Sequence, residues 1–312
     1  MLKRLALGAA LVLAAGGCAT GPQSDAAKMM AAADKVPDTP GTGPYPAIME
    51  IDPDLPGYVV YRPADLTPFS SEKLGVFVWG NGACAADATS ARQQLAEIAS
   101  HGFLAIAPGT WQSGPNAKVA RTAVRPKDST DSPTSATDLA YALDWAMAEN
   151  GRSGSRYVGL IDPDAIALAG YSCGGIQALR LADDPRVDTM IVQNSGIFSE
   201  PSPFMEMNMS KDQLRVLHSP VLYLLGGPSD IAYGNGTDDF ARIENVPAML
   251  VNIPTGHGGT YNQPNGGKGA AIVVDWLLWQ LRGDSAAKAA FACPQGKWCR
   301  DSDVTIERKN GL

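Results

Sequence analysis

From Tyr58 to about Leu281, short apolar runs alternate with helical patterns, and this alternation limits the possible folds more than any other feature. The first runs are Tyr58 to Tyr61 and Gly75-Val76-Phe77-Val78-Trp79, followed by a helical pattern over Ala91 to Ser100 and a run from Phe103 to Ala107. After a loop from Gly109 to about Ser135 come an amphipathic helix over Ala136 to Glu149 and the run Ala165 to Ala169, backed by a small-residue helix. Further runs lie at Thr189 to Gln193, Val221 to Leu225 and Ala248 to Ile253, and a closing helix spans about Lys268 to Leu281. Apolar runs separated by helices are the punctuation of βαβ units. The pattern predicts an α/β fold with a mostly parallel central sheet and helices on both faces.

With 312 residues, 45% of them hydrophobic, the chain can bury a full core. No internal repeat or second composition shift divides the body, so one domain is expected over residues 47–290. The net charge of -7 and the lack of a Lys/Arg cluster argue against a nucleic-acid partner. No clustered His, Cys and carboxylate set points to a metal, and no Gly-rich phosphate loop with a following Lys points to a nucleotide. No cofactor is expected.

Met1-Leu2-Lys3-Arg4 and the apolar stretch Leu5 to Ala15 have the form of a signal peptide, assigned to residues 1–17, too short for a permanent membrane span. The segment Leu13-Ala14-Ala15-Gly16-Gly17-Cys18 resembles the lipobox of bacterial lipoproteins, with Ala15 where that pattern usually has Leu. The resemblance implies lipidation at Cys18 and an exported protein anchored to a membrane, facing the periplasm or the cell exterior. The alternative is a plain signal peptide with Cys18 incidental. Residues 18–46 are rich in Ala, Pro, Gly, Thr and Asp without apolar period, as in a flexible tether. Residues 291–312 are expected to form a tail in which Cys293 and Cys299 close a small disulfide loop.

Gly170-Tyr171-Ser172-Cys173-Gly174 is a G-x-S-x-G pentapeptide directly after the run Ala165 to Ala169, so Ser172 falls where a buried strand ends. That is the context of a nucleophile elbow, in which the flanking glycines leave room for close backbones. An ordinary strand-to-helix turn containing Ser is the alternative. In parallel sheets, functional groups gather outside the carboxyl ends of the strands, which filters every partner for Ser172. Of three histidines, His101 and His218 precede strands, whereas His257 in Thr255-Gly256-His257-Gly258-Gly259 directly follows one. Among the acids, Asp162, Asp164, Asp183, Asp184 and Asp188 precede strands and read as turn and capping residues. Asp230 follows the run Val221 to Leu225, with Asp238 and Asp239 in reserve further along the loop. The order Ser172, Asp230, His257 is the nucleophile, acid, histidine order of α/β-hydrolases.

Over about residues 58–282 the chain resembles the α/β-hydrolase superfamily. Ala99-Ser100-His101-Gly102-Phe103, the stretch Asp162 to Gly170, and Asp230-Ile231-Ala232 look like the corresponding parts of dienelactone-hydrolase-like and cutinase-like polyester hydrolases. Those polyester hydrolases usually carry Trp and Met around the nucleophile, where this chain has Tyr171 and Cys173. The resemblance implies a serine esterase acting on a small-molecule or polymeric ester through an acyl-enzyme. It places oxyanion donors at the Cys173 N–H and in Trp79-Gly80-Asn81-Gly82-Ala83-Cys84, with Asn81 first and Gly82 next. The strands before Cys84 and Cys173 are neighbours in this fold, which implies a disulfide between them; two buried free thiols are the alternative. Tyr171, Trp111 and Tyr261 are candidates for the substrate cleft, or equally for core packing. Phe204, Met205, Met207 and Met209 are expected to shape an acyl pocket or a cover. An acyltransferase with the same triad, or a catalytically silent surface binding protein of this fold, are the rival readings.

Overall fold

The computed structural model describes residues 25–122, 131–200 and 205–312. The expected signal segment and Cys18 lie outside these residues. Within them, nine strands form one sheet: β1 (Ala47–Glu50), β2 (Tyr58–Pro63), β3 (Leu74–Gly80), β4 (Phe103–Pro108), β5 (Ile161–Tyr171), β6 (Thr189–Gln193), β7 (Val221–Leu225), β8 (Ala248–Asn252) and β9 (Thr305–Lys309). The helices are α1 (Asp25–Ala33), α2 (Phe69–Glu72), α3 (Arg92–Ser100), α4 (Ala136–Gly151), α5 (Cys173–Arg180), α6 (Tyr233–Arg242), α7 (Gly267–Arg282) and α8 (Ser285–Ala290).

The strand order is β1-β2-β4-β3-β5-β6-β7-β8-β9. Strands β3 to β8 run parallel, and β2 and β9 pair antiparallel with β4 and β8. The expected mostly parallel α/β sheet is present. Its period-two pattern sends alternate side chains to opposite faces. On β3, Val76 and Val78 join the core beneath α4 and α5 with Leu143 and Leu179, while Phe77 and Trp79 join the core beneath α3 and α7 with Leu95 and Trp276. Two buried faces explain why the strands read as continuous apolar runs. Helix α4 begins at a capping box in which the Asp138 carboxylate accepts the Ser135 N–H at 2.7 Å.

After β3 the chain crosses to β4 on one side and later to β5 on the other, so the order reverses between β3 and β5. The carboxyl ends flanking such a reversal open a crevice that backbone does not fill. Gly80 pairs with Gly170 across this boundary, bringing the loop after β3 beside the turn after β5.

Both chain ends depart from expectation. The segment expected to be a flexible tether up to Pro46 is, from Asp25, a docked helix and strap. It is held by polar bonds, to backbone carbonyls and to carboxylates: Arg92 Nη2 donates to the carbonyls of Ala33 (2.9 Å) and Val36 (2.6 Å), and Arg92 Nε to Asp38 (2.6 Å). The expected Cys293–Cys299 disulfide is present, and beyond it the tail adds β9 to the sheet edge, with the Trp298 indole donating to Asp275 at 2.7 Å. Cys84 and Cys173 are also bonded, with Cα atoms 5.2 Å apart. Two disulfides suit an oxidising, exported environment. Among the described residues, no helix is long and apolar enough to cross a membrane.

Candidate active site

Ser172 lies between β5 and α5 at φ 53° and ψ -121°, a left-handed conformation that a residue with a Cβ adopts only under the constraint of its surroundings. The glycines around it create that constraint. A Cβ on Gly170 would come within 2.2 Å of the Gly174 backbone, and one on Gly174 within 2.0 Å of the Gly80 carbonyl. Strand, turn and helix therefore close to a distance that only these residues permit. Ser172 N–H donates to the Gln193 carbonyl at 3.0 Å, and the Ser195 hydroxyl donates to the Ser172 carbonyl at 2.6 Å.

The carboxyl-end filter brings the three expected partners together. Ser172 Oγ lies 3.0 Å from His257 Nε2, and His257 Nδ1 lies 2.7 Å from Asp230 Oδ1. His257 comes from the loop after β8 and Asp230 from the loop after β7. The imidazole side chain is 24% exposed and the Asp230 side chain fully buried, so the ring meets the cavity while its carboxylate is shielded. Burial pushes the Asp230 carboxyl up. The His257 hydrogen bond, the N–H groups of Ala232 and Gly226, and the Asn194 amide outweigh it and hold the group below its ordinary range. Asp230 is thus a carboxylate at neutral pH.

The other candidate partners are engaged elsewhere. His101, just past the end of α3, bonds Glu97 of that helix, and His218 bonds the Asp184 carbonyl. Of the reserve acids, Asp238 pairs with Arg242 and Lys211, and Asp239 faces Lys211, Tyr223 and the Ile197 N–H.

Asn194 was not singled out in the sequence, although it follows β6 at the same edge and the same filter would have found it. Its Nδ2 donates to Asp230 Oδ2 at 2.8 Å and to the Gly256 carbonyl at 3.1 Å, while its Oδ1 accepts the Tyr261 hydroxyl. It connects both loops that carry the His and the Asp. Tyr171 donates to the His257 carbonyl at 2.8 Å, and its ring packs 4.5 Å from that of Tyr261. Burial first, then the Asp230 charge, push the Tyr171 phenol up to about 12, so it remains a neutral donor.

A cavity of about 610 Å³ opens on this group, within the usual range for small-molecule sites. Tyr171, Ser172, Cys173, His257 and Tyr261 line one part of it, and Gly82 and Ala83 the loop beside the serine. Cys173 is the first residue of α5, where helix geometry leaves an N–H without an intrahelical acceptor. Asn81, expected first in this loop, is not among the residues lining the cavity, whereas Gly82, expected next, is. Asn81 is 1% exposed, and its side-chain amide donates to the carbonyls of Ala85 and Pro108. The bonds closing this loop run from Cys84 N–H to Asn81 O and from Ala85 N–H to Gly82 O, leaving the N–H groups of Asn81, Gly82 and Ala83 out of that closure. Asn81 braces the loop, and Gly82 and Ala83 face the cavity.

Of the two places left open for Trp111, the structure gives core packing. Trp111 lines a separate cleft with Met49 and Lys118, whose ammonium lies 5.1 Å from the ring centre, while Gln112 and Ser113 line the main cavity in its place. Met207 lines the cavity and Met209 packs on the core; Phe204 and the Met205 side chain lie outside the described residues. Arg121, Asp87, Asp34 and Ser113 form a polar portion of the wall, with Arg121 Nη2 2.8 Å from Asp34 and its Nε 3.8 Å from Asp87. Among the described residues no group of His, Cys, Asp and Glu is arranged to hold a metal.

In comparisons with known proteins, no protein-family model and no curated protein matches this chain.

Proposed function

We propose that this chain is an exported serine hydrolase of carboxylic esters with an α/β-hydrolase architecture. The observation carrying this reading is the continuous series Ser172 Oγ, His257 Nε2, His257 Nδ1 and Asp230 Oδ1, at 3.0 and 2.7 Å, opening on a cavity. Each group has the chemistry its step needs. Ser172 Oγ bonds to the ester carbonyl carbon as its proton passes to His257 Nε2. The Asp230 carboxylate holds the ring by Nδ1 and stabilises the imidazolium. The carbonyl oxygen becomes an oxyanion facing the N–H of Cys173 and the loop Gly82-Ala83. Collapse breaks the bond to the alkoxy group, which leaves as alcohol with the proton from Nε2. Water then attacks the acyl-enzyme, gives its proton to His257, and the acid is released as Ser172 regains its proton.

The Cys84–Cys173 bond fits this reading because it ties the two donor segments to each other. In the same proposal, Cys18 carries the lipid that holds the enzyme at a membrane surface. The test is hydrolysis of nitrophenyl acetate and its longer-chain esters. Steady turnover by the intact protein and loss of about 10⁴-fold or more in Ser172→Ala are expected; equal turnover by both proteins would overturn the assignment.

A further inference from the structure

We infer that the N-terminal strap, residues 30–38, is a wall of the substrate pocket that selects uncharged esters with an apolar chain, and that Arg92 positions it. This rests on the esterase reading for its catalytic meaning. Met30, Ala33 and Asp34 line the same cavity as Ser172 and His257. The segment is pinned by a residue that is itself buried: Arg92 is 2% exposed, and an arginine is rarely so buried unless paired.

All three partners of that guanidinium lie on the strap. Nε donates to Asp38 at 2.6 Å, and Nη2 donates to the carbonyls of Ala33 and Val36 at 2.9 and 2.6 Å. Ala33 ends α1, so Arg92 satisfies a helix-terminal carbonyl and places a cation where the helix dipole favours it. The neighbouring Gln93 donates to the Pro37 carbonyl at 2.7 Å. Asp34 then joins the strap to the opposite loop, accepting from Gly114 N–H at 3.0 Å and Arg121 at 2.8 Å. A spacer that only spans a distance needs none of these bonds.

The lining defines the ligand. Met30, Ala33, Ala83, Ala85, Ala91 and Met207 present apolar surface to the cavity. Arg121 is already balanced by Asp34 and Asp87, so it offers little to an anionic substrate. The part of the ester resting on the strap is therefore a neutral hydrocarbon chain, bound by removal of apolar area from water.

The test is calorimetric binding of octanamide, a neutral medium-chain probe that measures the pocket without requiring turnover. It uses the full-length protein, an Ala33→Trp variant and an Asp34→Ala/Asp38→Ala double variant. Ala33 is half-buried, so an indole there enters the cavity and displaces chain methylenes; loss of two methylene contacts corresponds to about tenfold weaker binding. The double variant removes the strap's side-chain bonds to Arg92, Gly114 and Arg121 while leaving the Arg92 bonds to the Ala33 and Val36 carbonyls, and a loss of about threefold or more is expected. Affinity within twofold of the intact protein in both variants would overturn the proposal, as would absence of octanamide binding to the intact protein. A binding pattern as expected, in a protein whose Ser172 resists acylating probes, would instead defeat the esterase reading and leave the strap's role standing.

Discussion

Asp230 and Asp239 are both fully buried at the side chain, yet they face opposite electrostatic outcomes. Burial raises the pKa of each. At Asp230 it is outweighed by four donors: the His257 ring, the N–H groups of Ala232 and Gly226, and the Asn194 amide. At Asp239 burial prevails over Lys211, the Ile197 N–H and the Tyr223 hydroxyl, and the carboxyl is pushed from 3.8 up to about 6. The difference teaches that burial alone does not keep a carboxylate ionised. Backbone and amide donors arranged by the loops after β6 and β7 do so at Asp230, whereas Asp239 fastens α6 to its surroundings.

The comparison breaks most visibly at Asp230. Asp230→Asn should lower kcat by about 10⁴-fold with the fold retained, because the imidazole loses the anion that orients it; a loss under tenfold would remove Asp230 from the site. Cys84→Ala loosens the oxyanion loop while leaving the donors of both aspartates in place. It should reduce kcat/KM by about 100-fold, comparable to losing one oxyanion donor, and reduce unfolding stability by about 2–5 kcal/mol in denaturant titration. Asn194→Ala removes one of Asp230's four donors. About a tenfold drop in kcat is expected, because the loops carrying His257 and Asp230 lose the side chain that joins them.

Asp239→Asn should change kcat by less than about twofold and act on stability instead. Its folded pKa of about 6 lies above the ordinary 3.8, so between these values the native state binds more protons than the unfolded chain. Stability from this group is therefore full below pH 3.8 and falls as pH rises through about 6. Melting temperatures across that window should show a downward slope that flattens in Asp239→Asn. Asp230 acts with the opposite sign, contributing stability above 3.8 that is lost as pH falls through its lowered folded value.

Much of this arrangement was legible because a buried parallel sheet writes itself as apolar runs, and β6 and β7 match their runs residue for residue. Once the strands were placed, their carboxyl ends left Ser172, Asp230 and His257 on one edge. Short edge strands left no such trace: β1 spans four residues, and β9 has a polar TIERK sequence paired on one side only. The strap resembles a tether in sequence because it is held by carbonyl oxygens, which every residue carries, and by Asp34 and Asp38, whose partners lie far along the chain. Asn81 was assigned by its place in a loop, but which group of a loop faces a cavity depends on backbone angles that residue identity does not specify. Trp111 was open between cleft and core for a related reason, since the direction of an aromatic side chain is decided by packing.

The central claim is that Ser172 is a nucleophile activated by His257. The most direct measurement is labelling of the intact protein with a fluorophosphonate probe, followed by peptide mass mapping. Stoichiometric modification at Ser172, lost in Ser172→Ala and strongly slowed in His257→Ala, is the predicted result. A folded protein that stays unlabelled, or that is labelled equally well without His257, would contradict it.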